Sequence, residues 1–185
     1  MVKGLNYTAK IEIPTGVTAL VENGILKVGG SKGQTQKKLV HPRLTVAVEG
    51  SNIIITSSKV KSNSLDKMYV NTFEAHVRNL LLGVMKGYIS KMKVCSGHFP
   101  MTVSVDGSKV VVKNFFGEKH PRTCPIISGV KIMVQGDEII LEGINKEDVG
   151  QMAARIERTT GLQGRDRRTF QDGCFITQKA VLKDE

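Results

Sequence analysis

Short bursts in which apolar and polar residues alternate recur along the chain: TALVENGILKVGG, LTVAVEGSNIIITS, MTVSVDGSKVVVKNFFG and KIMVQGDEIILEG. A period of two is that of a strand with one buried face, and each burst is broken near its middle by a glycine-containing pair. Asn23-Gly24, Asp106-Gly107 and Gly136-Asp137 are hairpin chemistry, because these residue types tolerate the positive φ of tight turns. The pattern therefore predicts four hairpins, and their order repeats. Pro14 opens the first set and Pro100 the second, while Gly50-Ser51-Asn52-Ile53-Ile54 answers Gly136-Asp137-Glu138-Ile139-Ile140; the offset is 86 in both comparisons (100 − 14 and 136 − 50).

After each pair of hairpins the period becomes helical. Over about 65–84, Leu65, Tyr69, Phe73, Val77, Leu80 and Val84 fall along one side, with Lys67, Asn71, Glu74 and Arg78 along the other. A second helix begins at Asn145, a good N-cap, with Glu147 and Asp148 in its first turn. It buries Val149, Met152, Ala153 and Ile156 and carries Arg155 and Arg158 towards its end, before Gly161. These features predict an α+β chain of two homologous domains, 1–86 and 87–185, arising by internal duplication. Each has small, mostly antiparallel sheets packed with one helix. The joint is expected between 84 and 97, in GYISKMKVCSGH.

Composition narrows the function. Lys plus Arg number 27 against 17 Asp plus Glu, a net charge of +10 over 185 residues, which points to a polyanionic partner. No apolar run approaches the roughly 18 residues of a spanning helix, and MVKGLNYTAK lacks the hydrophobic core of a signal peptide, so a cytosolic chain is expected, with no membrane partner. Cys95, Cys124 and Cys174 are far apart and without neighbouring ligands; reduced, metal-free thiols are expected. His41, His76, His98 and His120 are as scattered and read as structural or surface residues. No nucleophile elbow, carboxylate pair or metal array occurs at a supporting spacing, so no enzyme and no cofactor is expected.

The nucleic-acid motifs are mostly negative. VGGSKG lacks phosphate-loop spacing and is followed by QTQKKLV rather than by a helix, so it reads as a loop between strands whose Lys32, Lys37 and Lys38 are within reach of phosphates. The G-x-x-G stretches at 30–33 and 161–164 lack the flanking helices of a KH loop, and aromatics at 5%, with no Trp, argue against base stacking as the main mode of binding. The positive signal is terminal. Arg155, Arg158, Arg165, Arg167 and Arg168 fall within 14 residues, the next turn signal is Asp172-Gly173, and Lys179 follows. Arginine suits a structured phosphate backbone because its planar fork binds in two places. Phe170, Phe175 and Ile176 alternate with the charges, so the expectation is an extended, phosphate-contacting segment pinned by its apolar residues.

GINKEDVGQMAARIERTTGLQGRDRRTFQDGCFITQK, with KGYISKMKV, HFPMTVSV and VKNFFGEKHP ahead of it, resembles the large-subunit ribosomal protein six family, numbered nine in the eukaryotic cytosolic series. The resemblance covers essentially the whole chain. It is strongest at 143–156, in NFFGEKHP and in FQDG, the last similar to the archaeal and eukaryotic branch. It implies two homologous domains, each of two small sheets and a helix. It also implies a structural, non-catalytic role in the cytosolic large subunit, binding its rRNA near the sarcin-ricin hairpin. Other large-subunit proteins are then neighbours, with translation factors nearby. Carried over by position, the RNA contacts are Arg165, Arg167, Arg168, Thr169, Phe170, Gln171 and Gly173, with Lys113, Lys119 and Arg122 as support. QTQKK, read as a loop after Gly33, and PRTCPIISG are less basic than the family's pattern, so fewer contacts are expected there. A free-standing RNA-binding module is the alternative.

Overall fold

The computed structural model describes residues 7–58, 63–166 and 168–183. The chain divides into two compact units, Met1–Lys86 and Gly87–Glu185. The first has strands β1 (Thr8–Glu12), β2 (Thr18–Glu22), β3 (Ile25–Gly30), β4 (Gly33–Lys38), β5 (Leu44–Glu49) and β6 (Asn52–Ser57), then helix α1 (Ser64–Met85). The second has β7 (Tyr88–Cys95), β8 (Thr102–Asp106), β9 (Lys109–Lys113), β10 (Arg122–Pro125), β11 (Val130–Gln135) and β12 (Glu138–Gly143), then α2 (Lys146–Thr159) and β13 (Gly173–Leu182).

One topology is used twice. In the first unit the sheets run β1-β6-β5 and β2-β3-β4; in the second, β7-β12-β11 and β8-β9-β10, all pairs antiparallel. The correspondence extends to register. Leu44 faces Ser57 and Glu49 faces Asn52, as Val130 faces Gly143 and Gln135 faces Glu138, an offset of 86 throughout (130 − 44 and 138 − 52). Gly50 and Gly136, the equivalent turn residues, both have φ 59°, with open space where a Cβ would stand. Backbone conformation rather than crowding therefore makes glycine the residue there. Among the described residues the second unit adds a short 3-10 turn, Phe115–Gly117, and the strand β13, which pairs with the edge of β7 equivalent to the one left unextended at β1.

Each unit closes one helix over its sheets. In the first, Leu26, Val28, Ile53, Ile55, Val77 and Val84 are almost wholly buried. The buried face of α1 includes Asp66, Val70, Val77, Leu80, Leu81 and Val84. This corrects the predicted stripe at its start: Leu65 is exposed and Tyr69 and Phe73 are only half-buried. The reason is the cap. Asn63 and Asp66 exchange hydrogen bonds in a capping box, Asp66 Oδ1 also lies 3.4 Å from Arg43 Nη1, and this turns Asp66 inward in place of Leu65. Helix α2 buries Val149, Met152, Ala153 and Ile156 against Met92, Ile139, Leu141 and Cys174. Its N-cap is Asn145, whose side chain accepts from the Glu147 N–H.

Three segments read otherwise from sequence are strands. QTQKK belongs to β4, and most of the expected joint, Tyr88–Cys95, is an inner strand of a four-stranded sheet. The latter half of the terminal segment is β13, with register shifts near Gln178, and not an extended tail. The glycine-rich VGGSKG turn meets the C-terminal end of α1. Lys32 N–H donates to Val84 O at 2.9 Å and the Ser31 hydroxyl to Met85 O at 3.2 Å, and a Cβ on Gly30 would come within 2.8 Å of Val84 O. It satisfies helix carbonyls, the reverse polarity of an anion site. Among the described residues no helix is long and apolar enough to cross a membrane.

Candidate nucleic-acid interface

Three loops of the second unit converge: the one after β7, the one between β9 and β10, and the one joining α2 to β13. Asp172 ties the first to the third. Its carboxylate, 5% exposed, accepts from Gly97 N–H at 2.7 Å and His98 N–H at 3.1 Å, and lies 3.2 Å from His98 Nδ1. Burial raises its pKa, but the hydrogen bonds from Gly97 and His98 outweigh that and hold the group below its ordinary value. Asp172-Gly173 is therefore not the turn its sequence suggests. Gly173 starts β13, and Asp172 pins the loop before it.

Above this tie sits a group of rings. His98 lies 5.0 Å from Phe170 and 6.0 Å from Phe116, Phe116 lies 5.8 Å from Phe170, and Phe115 meets Phe116 edge-on at 5.0 Å. Phe116 has φ 50° and follows Asn114 at φ 58° with one residue between. Asparagine accepts that conformation readily; for a phenylalanine it costs about 1–3 kcal/mol and marks a position the surroundings impose. Asn114 is held by donating to Pro100 O at 2.8 Å. Arg165 caps the group, its guanidinium carbon 4.9 Å from the Phe116 ring centroid and 5.2 Å from that of Phe170. Each such cation–π contact contributes about 0.5–2 kcal/mol, and here it aims the arginine while leaving it exposed. Thus HFP, NFFG and FQDG, far apart in the chain, form one constellation.

The predicted contact residues fare differently. Arg165 and Phe170 stand together in the ring group. Arg168 is 91% exposed at its side chain and forked on Asp166, Nη2 to Oδ2 at 2.9 Å, while Asp166 Oδ1 also accepts the Arg168 N–H and Asp166 O accepts from Thr169 and Phe170 N–H. This local turn fixes the loop's shape, and an exposed pair of that kind yields readily to a phosphate. Thr169 and Gln171 are exposed; Gly173 is buried at the start of β13. Arg158 is exposed and Arg155 half-buried on α2, Lys179 is exposed on β13, and Lys113 and Lys119 are exposed beside the NFFG turn. Arg167 lies outside the described residues.

Arg122 is bound within the second unit. Its Nε and Nη2 bind both oxygens of Glu118 at 2.8 and 2.6 Å, and its Nη1 donates to Thr159 O at 2.9 Å and Gly161 O at 3.1 Å. Its guanidinium carbon also lies 4.2 Å from the Phe115 ring centroid. It closes the C-terminal end of α2, as the 31–32 turn closes α1, and four of its five N–H donors are engaged within the protein. Sequence reasoning missed His98, Phe116 and Asp172. Their signal was concentration: five of the six phenylalanines, Phe99, Phe115, Phe116, Phe170 and Phe175, follow position 98, so the low overall aromatic content misled.

Beside the ring group opens a cleft of about 730 Å³, between the loop after β7, the end of α2 and the start of β13. Cys95, Glu157, Thr160, Leu162, Phe170 and Phe175 are among its lining residues. Among the described residues no cluster of side chains could hold a metal ion.

Residues 99–173 match the family model described as ribosomal protein L6. The chain is 38% identical to the large ribosomal subunit protein uL6 of Methanobrevibacter smithii over 97% of this chain and 99% of that protein. It is 42% identical to the protein of that name from Methanocella arvoryzae, over 92% and 96% of the two chains. For that of Aeropyrum pernix the identity is 36% over 98% of this chain and 100% of the relative.

Proposed function

Since the chain belongs to the ribosomal protein L6 family, we propose that it is a structural, non-enzymatic constituent of the large ribosomal subunit that binds large-subunit rRNA through its second unit. The relatives' names support the subunit. The arginine loop supports the surface: Arg165 is aimed by Phe116 and Phe170, Arg168 by Asp166, and the whole loop is pinned by Asp172. A solvated basic tail would have none of these restraints. In this reading Arg165, Arg167 and Arg168 contact phosphates, with Arg158, Lys113, Lys119 and Lys179 at the margin, on RNA close to the sarcin-ricin hairpin. Translation factors then dock nearby, neighbouring large-subunit proteins abut the chain, and the setting is the cytosolic ribosome. Arg122 and Gly173 serve the fold of the site.

Sucrose-gradient sedimentation of the tagged full chain tests the assignment. It should travel with large subunits and stay with them in moderate salt. Recovery with short free RNAs, and absence from large subunits, would replace this reading with that of a free-standing module.

A further inference from the structure

A surface that recognises phosphates has no electrostatic use for a carboxylate, yet the stretch from Arg155 to Arg168 contains two acids, Glu157 and Asp166. Asp166 is neutralised by Arg168. Glu157 instead lines the cleft, half-exposed, and its hydrogen bond within the described residues is a long one, Oε1 accepting from Ile176 N–H at 3.4 Å. Of the other polar groups there, the Thr160 hydroxyl accepts from Cys174 N–H and donates to Glu157 O, and Asp172 accepts from Gly97 and His98 N–H. The Glu157 carboxylate thus has acceptor capacity to spare. Phe175 faces the same space, its ring packed over Gly173, where a Cβ would meet Cζ at 3.3 Å, and among the described residues it stacks on no other ring.

We propose that this cleft takes one unstacked guanine of the bound RNA, read by Glu157 and supported on Phe175. The inference rests on the rRNA-binding reading above. A carboxylate offers two adjacent acceptors, and guanine is the base whose pairing edge offers two adjacent donors, N1–H and the N2 amino group. Protein readers of RNA commonly splay single-stranded bases onto aromatic rings and bind their pairing edges. The volume of about 730 Å³ lies within the range of small-molecule sites and leaves room for the attached sugar. Arg165, at the rim on Phe170, is placed for the adjoining phosphate. The carboxylate that would weaken pure backbone binding is then what selects the base.

The test uses the full chain and a transcript of large-subunit rRNA, probed with kethoxal, which modifies the N1 and N2 positions of unpaired guanines. The wild-type protein should protect one such guanine. Glu157→Gln keeps an oxygen for the Ile176 N–H and so keeps the fold, but replaces one acceptor by a donor. It should lower affinity about tenfold, leave the salt dependence unchanged and return that guanine to full reactivity. Changing the protected guanine to adenine, whose N1 and N6 match a carboxamide, should restore binding to the variant. If RNA binds but no guanine is protected, or if Glu157→Gln protects as wild type does, the proposal falls and the rRNA reading stands. If the RNA does not bind at all, both fall.

Discussion

Asp172 and Arg122 are both charged residues within the second unit, and both face inward. Replacing Asp172 by Asn puts a donor against the Gly97 and His98 N–H groups, so the second unit should lose about 1–3 kcal/mol at neutral pH, read from urea unfolding. The sign of its pH dependence follows from a folded pKa below the unfolded one: the carboxylate's contribution is present above the unfolded value, near 3.8, and is lost as pH falls through the lower folded value. The gap between wild type and variant should therefore close below about pH 4. A gap unchanged down to pH 2 would mean the charge is immaterial. Arg122→Ala should cost stability of similar size, about 1.5–3 kcal/mol, with no change in the salt dependence of RNA binding, because its donors serve Glu118 and the end of α2. A flattened salt dependence would restore it to the contact surface. Burial pushes the Cys174 thiol up to about 11, so in native protein it should resist alkylation that the half-exposed Cys95 accepts. Equal rates would contradict its burial.

At the level of elements, what sequence revealed was what local chemistry encodes. The hairpins were legible because Asn23-Gly24 or Gly136-Asp137 needs no distant partner, and α2 because its apolar and polar faces are cleanly divided. Helix α1 was misread at its start because Leu65 and Met68 are exposed apolar residues, while the residue turned inward is an aspartate. The ring group was illegible for another reason: His98, Phe116 and Phe170 meet only after β7, β9 and β13 are in place, and no periodicity records a meeting across 72 positions (170 − 98). The loop joining α2 to β13 is the element on which binding is predicted to depend. Replacing Arg165, Arg167 and Arg168 by Ala should flatten the plot of log affinity against log salt by about 2 units, at roughly 0.7–0.9 per phosphate, with the fold intact. Phe170→Ala should weaken binding with little change of slope, since it removes an aim and not a charge. A triple variant with unaltered slope would make the loop a bystander.

Across the whole molecule, one topology serves twice, and the second copy is distinguished by β13. That strand adds to β7, contributes Cys174 to the core and carries Asp172 to its anchoring position. Removal of 173–185 keeps every arginine between 155 and 168, yet it should abolish RNA binding, and hydrogen exchange should show lost protection in 87–172 with that of 7–58 retained. Full affinity in the truncated chain would show that charge alone suffices. The order of events this implies concerns assembly. Gly97 and Asp172 are 75 positions apart, and contacts that close so long a loop form late. An incompletely folded chain therefore carries its full positive charge without the shape that directs it, attracted to any polyanion and retained by none. The final strand acts as a latch on competence, so that a molecule able to grip its RNA firmly is one that has finished folding.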